Sequence, residues 1–316
     1  MEALLLKPTV KDTIWGGTRL ISEFGFETTE DNIAEAWLLS CHKDGPSFVQ
    51  NGIYAGKTLA EALSAELGTH NADKNGFPIL IKLIDAKEKL SVQVHPGDEY
   101  ARRVENENGK TEAWYILDAV PGAELVYGVN KDVSREAFAE SIQKKEIESL
   151  LNFVPVKAGD VVFIPSGMLH AIGAGIFLAE VQQSSNTTYR VYDYDRPGKD
   201  GKPRELHIEK AKDVADLTAP AADFAPQGAT EQVAGGERTY LTGCAYFQMT
   251  LLNVDGAMAG LADDTSFVSL LVLDGEGVFT RGDDRLPLCK GSSVFVPAGY
   301  GDYTVEGTLS VLETRT

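Results

Sequence analysis

Cysteine is scarce in this chain. Its 316 residues include three cysteines, Cys41, Cys244 and Cys289, which lie far apart and form no CxxC pair. An odd and sparse count offers neither a disulfide framework nor a zinc knuckle, and it is typical of proteins from reducing compartments. We therefore expect a cytoplasmic protein.

Long hydrophobic runs are also missing. The longest apolar stretches, such as residues 267–273, fall far below the roughly 18 residues that a membrane helix needs. The first residues place only a short leucine run before Lys7 and Pro8, which does not match a signal peptide. We therefore expect neither a membrane span nor a targeting segment.

Positive charge is in the minority. The chain has 29 Lys and Arg residues against 47 Asp and Glu residues, which gives a formal net charge of −18. Phosphate backbones and anionic membrane surfaces require a basic footprint, so the composition excludes a nucleic-acid binder or an anionic-membrane binder. If the ligand is a small anion, a local cluster of Lys and Arg must overcome the field of the whole molecule.

What the chain does have is the composition of an ordinary globular protein, with 43% hydrophobic and 24% charged residues. At roughly 150 residues per domain, its length predicts about two domains. Most of the sequence consists of short β-branched runs between Gly, Pro, Asp and Asn, which predicts a mainly β fold with a few helices. The clearest predicted strands are residues 79–84, 90–94, 113–117, 161–165 and 176–182.

Three stretches depart from this pattern of short predicted strands. A capping box at residues 58–61 predicts a helix that continues to about Leu67 and stops at Gly68. Residues 134–151 carry apolar side chains at helical spacing, which predicts an inserted amphipathic helix. Residues 218–236 are rich in Ala, Pro, Gly and Gln, which is typical of a linker or a long surface loop.

Two segments share one spacing of turn residues. Gly159 is followed by five residues, Pro165, one residue, a glycine, two residues and His170; Gly291 begins the same spacing, which ends in Asp302. Each pairs a turn glycine with a buried strand and a Pro-x-Gly turn that fixes where the next side chain points. Two similar turns without common architecture remain an alternative.

This spacing resembles the second motif of the cupin superfamily, whose members are small jelly-roll barrels. The resemblance implies two cupin-like jelly-roll β-barrels with a few helices. We expect a catalytic cupin domain with helical insertions at 1–220, a linker at 221–236, and a degenerate second cupin-like domain at 237–316 that lacks the histidine.

Polar side chains that suit a metal ion lie in three of the β segments. Strand alternation places Ser91, Gln93 and His95 on one face, where a core face would be apolar. Glu112 starts the next strand, and His170 follows the Pro-x-Gly turn. Two imidazoles, a carboxylate and an amide oxygen suit zinc or a similar divalent ion, although a single His is more often structural. We take His42 and His207 as structural and His70 as a loop residue.

Several motifs together resemble the type I mannose-6-phosphate isomerase (phosphomannose isomerase) family in its short bacterial form. The resemblance spans most of residues 7–210, and its most specific parts are the QxHP and KTExWY motifs. The motifs are Trp15-Gly16-Gly17, Glu35-Ala36-Trp37, Leu90 to Pro96, Lys110 to Tyr115, Ile164 to Ala171, Glu180 to Asn186 and Arg190 to Asp193.

The resemblance implies a zinc enzyme, with one Zn²⁺ per chain, that interconverts mannose 6-phosphate and fructose 6-phosphate through an enediolate. The partner is then a small-molecule sugar phosphate; no oligomeric state is predicted. Matched position by position, the zinc ligands are Gln93, His95, Glu112 and His170, and the active-site arginine is Arg190. Substrate-pocket positions match Ser91, Lys110 and Glu180.

Some roles stay open. Glu180 is our candidate for moving the proton, and a structural salt bridge is the alternative for this residue. Lys110 is a candidate for binding the phosphate group of the substrate. The simpler interpretation of Lys110 is an exposed surface lysine. For the whole chain, the alternatives are a non-catalytic cupin that binds a sugar phosphate as a sensor or regulatory module, and a metal-dependent cupin oxygenase.

Overall fold

The computed structural model describes residues 2–63, 66–71, 76–198 and 201–316. Over these residues the chain is mainly β, which confirms the predicted class. The strands are β1 (Leu4–Lys7), β2 (Thr9–Lys11), β3 (Glu35–Leu39), β4 (Phe48–Val49), β5 (Ile79–Ala86), β6 (Val92–Val94), β7 (Glu112–Ala119), β8 (Glu124–Val129), β9 (Leu151–Pro155), β10 (Val161–Ile164), β11 (His170–Ala171), β12 (Ile176–Gln183), β13 (Tyr189–Tyr192), β14 (Thr230–Val233), β15 (Gly236–Gly243), β16 (Gln248–Ala262), β17 (Val268–Arg281), β18 (Asp284–Cys289), β19 (Ser293–Val296) and β20 (Gly301–Arg315).

Helices are short and few. They are α1 (Arg19–Ser22), α2 (Leu59–Ala62), α3 (Asp98–Val104), α4 (Arg135–Gln143) and α5 (Ile208–Val214), and 3₁₀ turns span Gly52–Tyr54, Thr69–Asn71 and Ile147–Leu150. None of the helices in the described ranges has the length and hydropathy needed to span a bilayer.

The strands form three sheets. A six-stranded sheet has the order β10-β7-β12-β5-β3-β2, and a five-stranded sheet has the order β13-β6-β11-β8-β9. A nine-stranded sheet runs β14-β15-β16-β20-β17-β19-β1-β4, with β18 paired to β17. Each sheet runs between edge strands and does not close on itself.

One apolar cluster fills the space between the six-stranded and five-stranded sheets. Trp114 and Ile116 of β7 and Leu178 of β12 contribute from the first sheet, and Leu125 and Tyr127 of β8 contribute from the second. Because alternate residues of a strand point to the same face, the polar residues in phase with this cluster also point between the two sheets. The functional side chains described below occupy one end of this interior.

The predicted repeat has the same local structure in both copies. Gly159 and Gly291 have φ values of 90° and 86°, in the left-handed region that favours glycine. The amide of Gly159 donates to the carbonyl of Ile116, and the amide of Gly291 donates to the carbonyl of Val272, both at 2.9 Å. A buried strand follows each glycine, β10 in the first copy and β19 in the second.

The helix predicted from residue 58 is shorter than expected. The capping box is present: the Thr58 amide donates to Glu61 Oε2 at 2.8 Å, and the Glu61 amide donates to Thr58 Oγ1 at 3.3 Å. The helix ends at Ala62, because the next residue, Leu63, is extended with φ −85° and ψ 141°. Residues 64 and 65 of the prediction lie outside the described residues.

The helix predicted over 134–151 is divided. Ser134 caps α4, accepting from the Ala137 amide at 3.2 Å. Lys145 then adopts φ 59°, a conformation that ends a right-handed helix. A 3₁₀ turn follows, and β9 begins at Leu151.

The linker expected over 221–236 is irregular only in part. Residues 230–233 form β14, which pairs with β15 through contacts such as Thr230 with Thr239. A turn at Gly235, with φ 83°, joins the two strands. Three of its four residues are polar and exposed, so this edge strand buries little apolar surface and the sequence pattern did not indicate it.

The amino-terminal strand joins the carboxy-terminal sheet. β1 pairs with β19, with Leu4 opposite Phe295. Beneath this contact lie Phe77, Phe267 and Phe295, with ring centroids 5.3 Å apart for Phe77 and Phe267 and 5.1 Å apart for Phe267 and Phe295. The two halves of the chain therefore share a buried aromatic core.

We predict that Phe267→Ala lowers the free energy of unfolding by about 3–5 kcal/mol, because it removes a ring that is fully buried and leaves a cavity. Urea unfolding followed by circular dichroism measures the change. Ile53→Ala is the control, since Ile53 is 82% exposed and its truncation is expected to change stability by about 0.5 kcal/mol or less. Equal stability losses in the two variants would contradict the shared core.

Candidate metal centre and active site

Three strands bring His95, Glu112 and His170 together. His95 directly follows β6, Glu112 begins β7 and His170 begins β11. His170 pairs with Gln93 in the five-stranded sheet, while Glu112 reaches across from the six-stranded sheet. All three side chains are buried, and their ligand atoms lie within 4.8 Å of one another.

The spacing of these atoms fits a single tetrahedral ion. His95 Nε2 lies 3.1 Å from His170 Nε2, and the two nitrogens lie 3.5 Å and 3.4 Å from the nearer Glu112 oxygens. An ion with ligand bonds of about 2.0–2.1 Å separates its ligand atoms by roughly 3.3–3.4 Å. Glu112 Oε1 accepts no hydrogen bond among the described residues, which leaves it available to a cation.

Both imidazoles are held by backbone carbonyls. His95 Nδ1 lies 3.0 Å from the carbonyl oxygen of Thr187, and His170 Nδ1 lies 2.8 Å from that of Met168. A carbonyl only accepts, so each Nδ1 carries the proton and each Nε2 presents its lone pair to the centre. This is the arrangement that orients histidine ligands of metal ions.

Gln93 and Lys110 complete the cluster. The Gln93 side-chain amide lies 3.4 Å from His170 Nε2, and half a turn of the amide would direct its oxygen to the centre. Lys110 is buried, with Nζ 2.6 Å from Glu112 Oε2 and 3.0 Å from His95 Nε2. A divalent cation at the centre would repel this ammonium group, so metal binding requires the Lys110 Nζ to move away from His95 and Glu112.

The protonation states suit a metal ligand set. Burial and the nearby Lys110 ammonium lower the pKa of His95 to about 3, so its imidazole is neutral at physiological pH. Burial also lowers the pKa of His170. For Glu112, burial acts in the opposite direction, but the nearby Lys110 ammonium holds its pKa well below the usual range. Neutral imidazoles and an ionised carboxylate are the forms that bind metal.

A buried chain of charges lies beside the centre on the six-stranded sheet. Lys82 Nζ is 3.0 Å from Glu180 Oε1 and 3.6 Å from Glu35 Oε2. Trp114 Nε1 donates to Glu180 Oε2 at 3.0 Å, and Trp37 Nε1 donates to Glu35 Oε2 at 2.7 Å. Glu180 therefore forms a salt bridge, which was the alternative role considered for it from the sequence. It lies on β12, the strand next to β7, which carries Glu112.

Lys82 and Glu35 were missed as site residues, whereas their partner Glu180 was predicted. Burial alone would lower the pKa of Lys82, but Glu180 and Glu35 raise it above its usual value. The pKa of Glu35 is lowered despite its burial, chiefly by Lys82. The sequence signal that could have found Lys82 is a single lysine within an almost entirely apolar strand, Ile79–Ala86. The structure buries every residue of this strand.

Arg190 lies on the same sheet face as Gln93. The two residues pair across β13 and β6, while their neighbours Tyr189 and Val191 pack into the core on the opposite face. The guanidinium donates from Nη1 to the carbonyl of Glu205 at 2.8 Å, and its buried Nε has no partner among the described residues. Arg190 is therefore directed into the space between the sheets with donor capacity to spare.

Two further arginines lie near Arg190. Asp193 accepts a hydrogen bond from Arg196 Nε at 2.9 Å. It also accepts two hydrogen bonds from Arg204, from Nε and from Nη2, each at 2.7 Å. After burial, the charges of Arg204 and Arg196 are the main causes that lower the pKa of Arg190. Two carboxylates, Asp193 and Glu205, thus interact with this group of three guanidinium groups, which leaves one excess positive charge at this side of the site.

The remaining predicted residues take different places. Ser91 is buried immediately before β6. His42 packs edge-on against Trp37 with ring centroids 5.9 Å apart, and His70 Nδ1 lies 2.9 Å from the carbonyl of Thr316. His207 Nδ1 accepts from the Arg190 amide at 3.1 Å. His42, His70 and His207 therefore take no part in the cluster of His95, Glu112 and His170.

Comparison with known proteins adds sequence and fold relatives. Residues 4–125 match the family model "Phosphomannose isomerase type I, catalytic domain", and residues 236–315 match "Mannose-6-phosphate isomerase, cupin domain". The chain is 42% identical to mannose-6-phosphate isomerase ManA of Bacillus subtilis over 97% of this chain and 96% of that protein. It is 38% identical to mannose-6-phosphate isomerase of Streptococcus mutans over 99% and 98% of the two chains.

Solved structures share the fold. The crystal structure of the mannose 6-phosphate isomerase from Bacillus subtilis superposes with a TM-score of 0.91 at 38% identity, covering 99% of each chain. A phosphomannose isomerase from Salmonella typhimurium shares the fold alone, with a TM-score of 0.79 at 18% identity and 99% coverage of each chain. Matches of this length and identity leave one assignment: the chain belongs to the type I phosphomannose isomerase family.

Proposed function

We propose that this protein is a metal-dependent aldose–ketose isomerase that interconverts mannose 6-phosphate and fructose 6-phosphate. The observation that carries the proposal is the buried set of His95, Glu112 and His170, spaced for one tetrahedral ion and oriented by backbone carbonyls. The curated relatives named mannose-6-phosphate isomerase, which match over nearly the whole chain, supply the substrate class.

The proposed cofactor is one Zn²⁺ per chain, held by Gln93, His95, Glu112 and His170. Two nitrogen ligands, a carboxylate and an amide oxygen suit zinc at a site that must leave room for substrate. When bound, zinc would polarise the sugar carbonyl and hold the adjacent hydroxyl.

Glu180 is the proposed proton carrier. Isomerisation removes a proton from the carbon beside the carbonyl and returns it to the neighbouring carbon, which one carboxylate on one face of the sugar can do. Glu180 is buried, and Lys82 and Trp114 hold it in place.

Arg190, Lys110 and Ser91 are the proposed substrate-facing groups. Arg190 would stabilise the negative oxygen of the enediolate, and as a permanent cation it does not act as the base. Lys110 and Ser91 are proposed to bind the sugar phosphate beside the metal ligands. The surplus charge of Arg196 and Arg204 around Asp193 supports recognition of an anionic substrate at this side of the pocket.

The organisation of the chain is part of the proposal. We place the catalytic unit at 1–220, the connection at 221–236 and the second unit at 237–316, each unit derived from one jelly-roll barrel. The matching turns at Gly159 and Gly291 support this origin. Free thiols at Cys41, Cys244 and Cys289 support a cytoplasmic location.

We predict that His170→Ala lowers the affinity for zinc by at least about 100-fold, because it removes a ligand rather than an outer partner. Metal analysis after dialysis against a weak chelator, with an isomerisation assay in parallel, measures the loss. His70→Ala is the matched control, since His70 lies outside the cluster. Full activity of the metal-free protein would refute the proposed cofactor.

Arg190→Ala is expected to keep its zinc and to lower kcat by about 100-fold to 1000-fold, the range seen when one donor to a developing oxyanion is removed. Steady-state kinetics and metal content, measured on one preparation, test both parts. Arg285→Ala changes an exposed arginine and is expected to leave both unchanged. Loss of zinc from Arg190→Ala would contradict this role, because it would show that Arg190 is needed for metal binding.

Glu180→Gln is expected to lower kcat by about 100-fold to 10,000-fold, because it removes the proton carrier and keeps the side-chain shape. The direct measurement is incorporation of solvent deuterium into the sugar. Glu140→Gln, which changes an exposed carboxylate paired with Lys144, serves as the control. Undiminished deuterium exchange in Glu180→Gln would show that Glu180 does not carry the proton and has only a structural role in its salt bridge. If the unmodified protein shows no exchange, the protein is a sugar-phosphate-binding module and not an isomerase.

A further inference from the structure

The backbone of Arg190 lies at the edge of a sheet. β13 is the last strand of the five-stranded sheet, and its neighbour is β6. The register between the two strands shifts between Arg190 and Tyr192. Such irregularities are frequent beside active sites, where they change the direction of a side chain. Pairing with β6 therefore does not by itself fix the direction of the Arg190 side chain.

One residue, His207, completes the free edge at this position. The His207 amide donates to the carbonyl of Arg190 at 2.8 Å, and the Arg190 amide donates to His207 Nδ1 at 3.1 Å. The imidazole thus takes the place that a carbonyl of a further strand would have. Arg190 Nη1 also donates to the carbonyl of Glu205 at 2.8 Å. Residues 205–207 therefore hold both the backbone and the guanidinium group of Arg190.

The apolar core anchors this segment. His207 directly precedes α5, and Ala211 of α5 lies in the same buried cluster as Tyr189 and Val191, the two neighbours of Arg190. The rings of His207 and Tyr189 have centroids 6.2 Å apart. Because helix and strand share this core, the position of His207 relative to Arg190 is set by packing.

His207 does not serve the helix that it precedes. It occupies the N-cap position of α5, where Ser, Thr, Asp and Asn are preferred because their side chains accept from the first turn. The His207 side chain makes no capping hydrogen bond. Its acceptor atom is used by the Arg190 amide instead, so capping does not explain a histidine at this position.

The imidazole is in the form that can accept. Burial is the main cause that lowers the pKa of His207, and the charges of Arg190 and Lys210 act in the same direction, against those of Glu205 and Glu105. The ring is therefore neutral at physiological pH. Because the amide of Arg190 only donates, Nδ1 carries the lone pair and Nε2 carries the proton.

We propose that His207 is a positioning residue for the isomerisation, which holds the Arg190 backbone through Nδ1 and so keeps the guanidinium group directed between the sheets. The inference rests on the proposed function, in which Arg190 stabilises the enediolate oxygen. Arg190 Nε is buried and has no partner among the described residues, so residues 205–207 fix the side chain and leave this donor for the substrate.

The first test is steady-state kinetics of His207→Ala with mannose 6-phosphate. The variant is expected to keep its zinc and to lower kcat by about 10-fold to 100-fold, the scale of a small misplacement of a group that acts in the transition state. The change in KM is expected to be smaller. His70→Ala is the matched control, since His70 contacts the carbonyl of Thr316 instead. Loss of zinc from His207→Ala would contradict a role through Arg190.

His207→Asn is the rescue variant. Asn Oδ1 is as many bonds from Cα as His Nδ1 and also accepts a hydrogen bond. It is therefore expected to restore most of the kcat that His207→Ala loses. A kcat of His207→Asn as low as that of His207→Ala would contradict the role of the acceptor atom.

A double-mutant cycle separates positioning from a general structural role. In the Arg190→Ala background, the further change His207→Ala is expected to lower kcat by about twofold or less, because a residue that acts only through Arg190 has nothing left to position. A merely structural residue would lower kcat by the same factor in both backgrounds, and that result would refute the proposal.

Hydrogen exchange of the Arg190 amide tests the contact without any catalysis. NMR of isotope-labelled protein is expected to show exchange at least about tenfold faster in His207→Ala than in the unmodified protein, because the amide loses its acceptor. Exchange is expected to be slow again in His207→Asn. Equal exchange rates in the unmodified protein and in His207→Ala would refute the contact.

The positioning role and the proposed function can fail separately. If the unmodified protein isomerises the sugar phosphate and His207→Ala keeps the full kcat, only the positioning role is refuted. If the zinc-loaded unmodified protein does not isomerise the sugar phosphate, the proposed function is refuted and the positioning role is refuted with it.

Discussion

The site depends on one constraint, the strand register that places two imidazoles from one sheet against a carboxylate from another. His170 is opposite Gln93 in the five-stranded sheet, and Glu112 begins β7 in the six-stranded sheet. A register slip of one residue would turn these side chains to the other face. The apolar cluster between the sheets and the carbonyls that hold each Nδ1 atom keep the register and the ring orientations fixed.

Local charge explains how so acidic a chain accepts an anion. The formal charge is −18, but Arg190, Arg196 and Arg204 lie together with only two carboxylates, Asp193 and Glu205, and Arg190 pairs across the strands with Gln93. At physiological ionic strength the Debye length is about 8 Å, so distant acidic groups are largely screened from this pocket. Buried groups are screened less, which gives the arginines near the site the larger influence.

Much of this could be predicted from the sequence, because strand alternation and turn spacing are local properties. They identified the mainly β class, the repeat and the polar strand face that leads to His95, whereas the meeting of His95, Glu112 and His170 was implied by the family resemblance. The ends of the helices were wrong, because Leu63 is extended and Lys145 has a positive φ, and no local pattern indicated either conformation. Lys82 and Glu35, which join Glu180 in a chain of charges, were missed because they lie on other strands, and single residues within apolar runs carry little signal alone. The strand Thr230–Val233 was hidden for a similar reason, since it is an edge strand with little buried surface.

The central claim is that one metal ion is bound where the two sheets meet. The most direct measurement is a crystal structure of the zinc-loaded protein with anomalous data collected at the zinc edge. The account predicts one anomalous peak, bonded to Nε2 of His95, Nε2 of His170 and a carboxylate oxygen of Glu112, with Lys110 turned away. A peak elsewhere in the chain, or Lys110 still seated between His95 and Glu112 with no metal present, would contradict it.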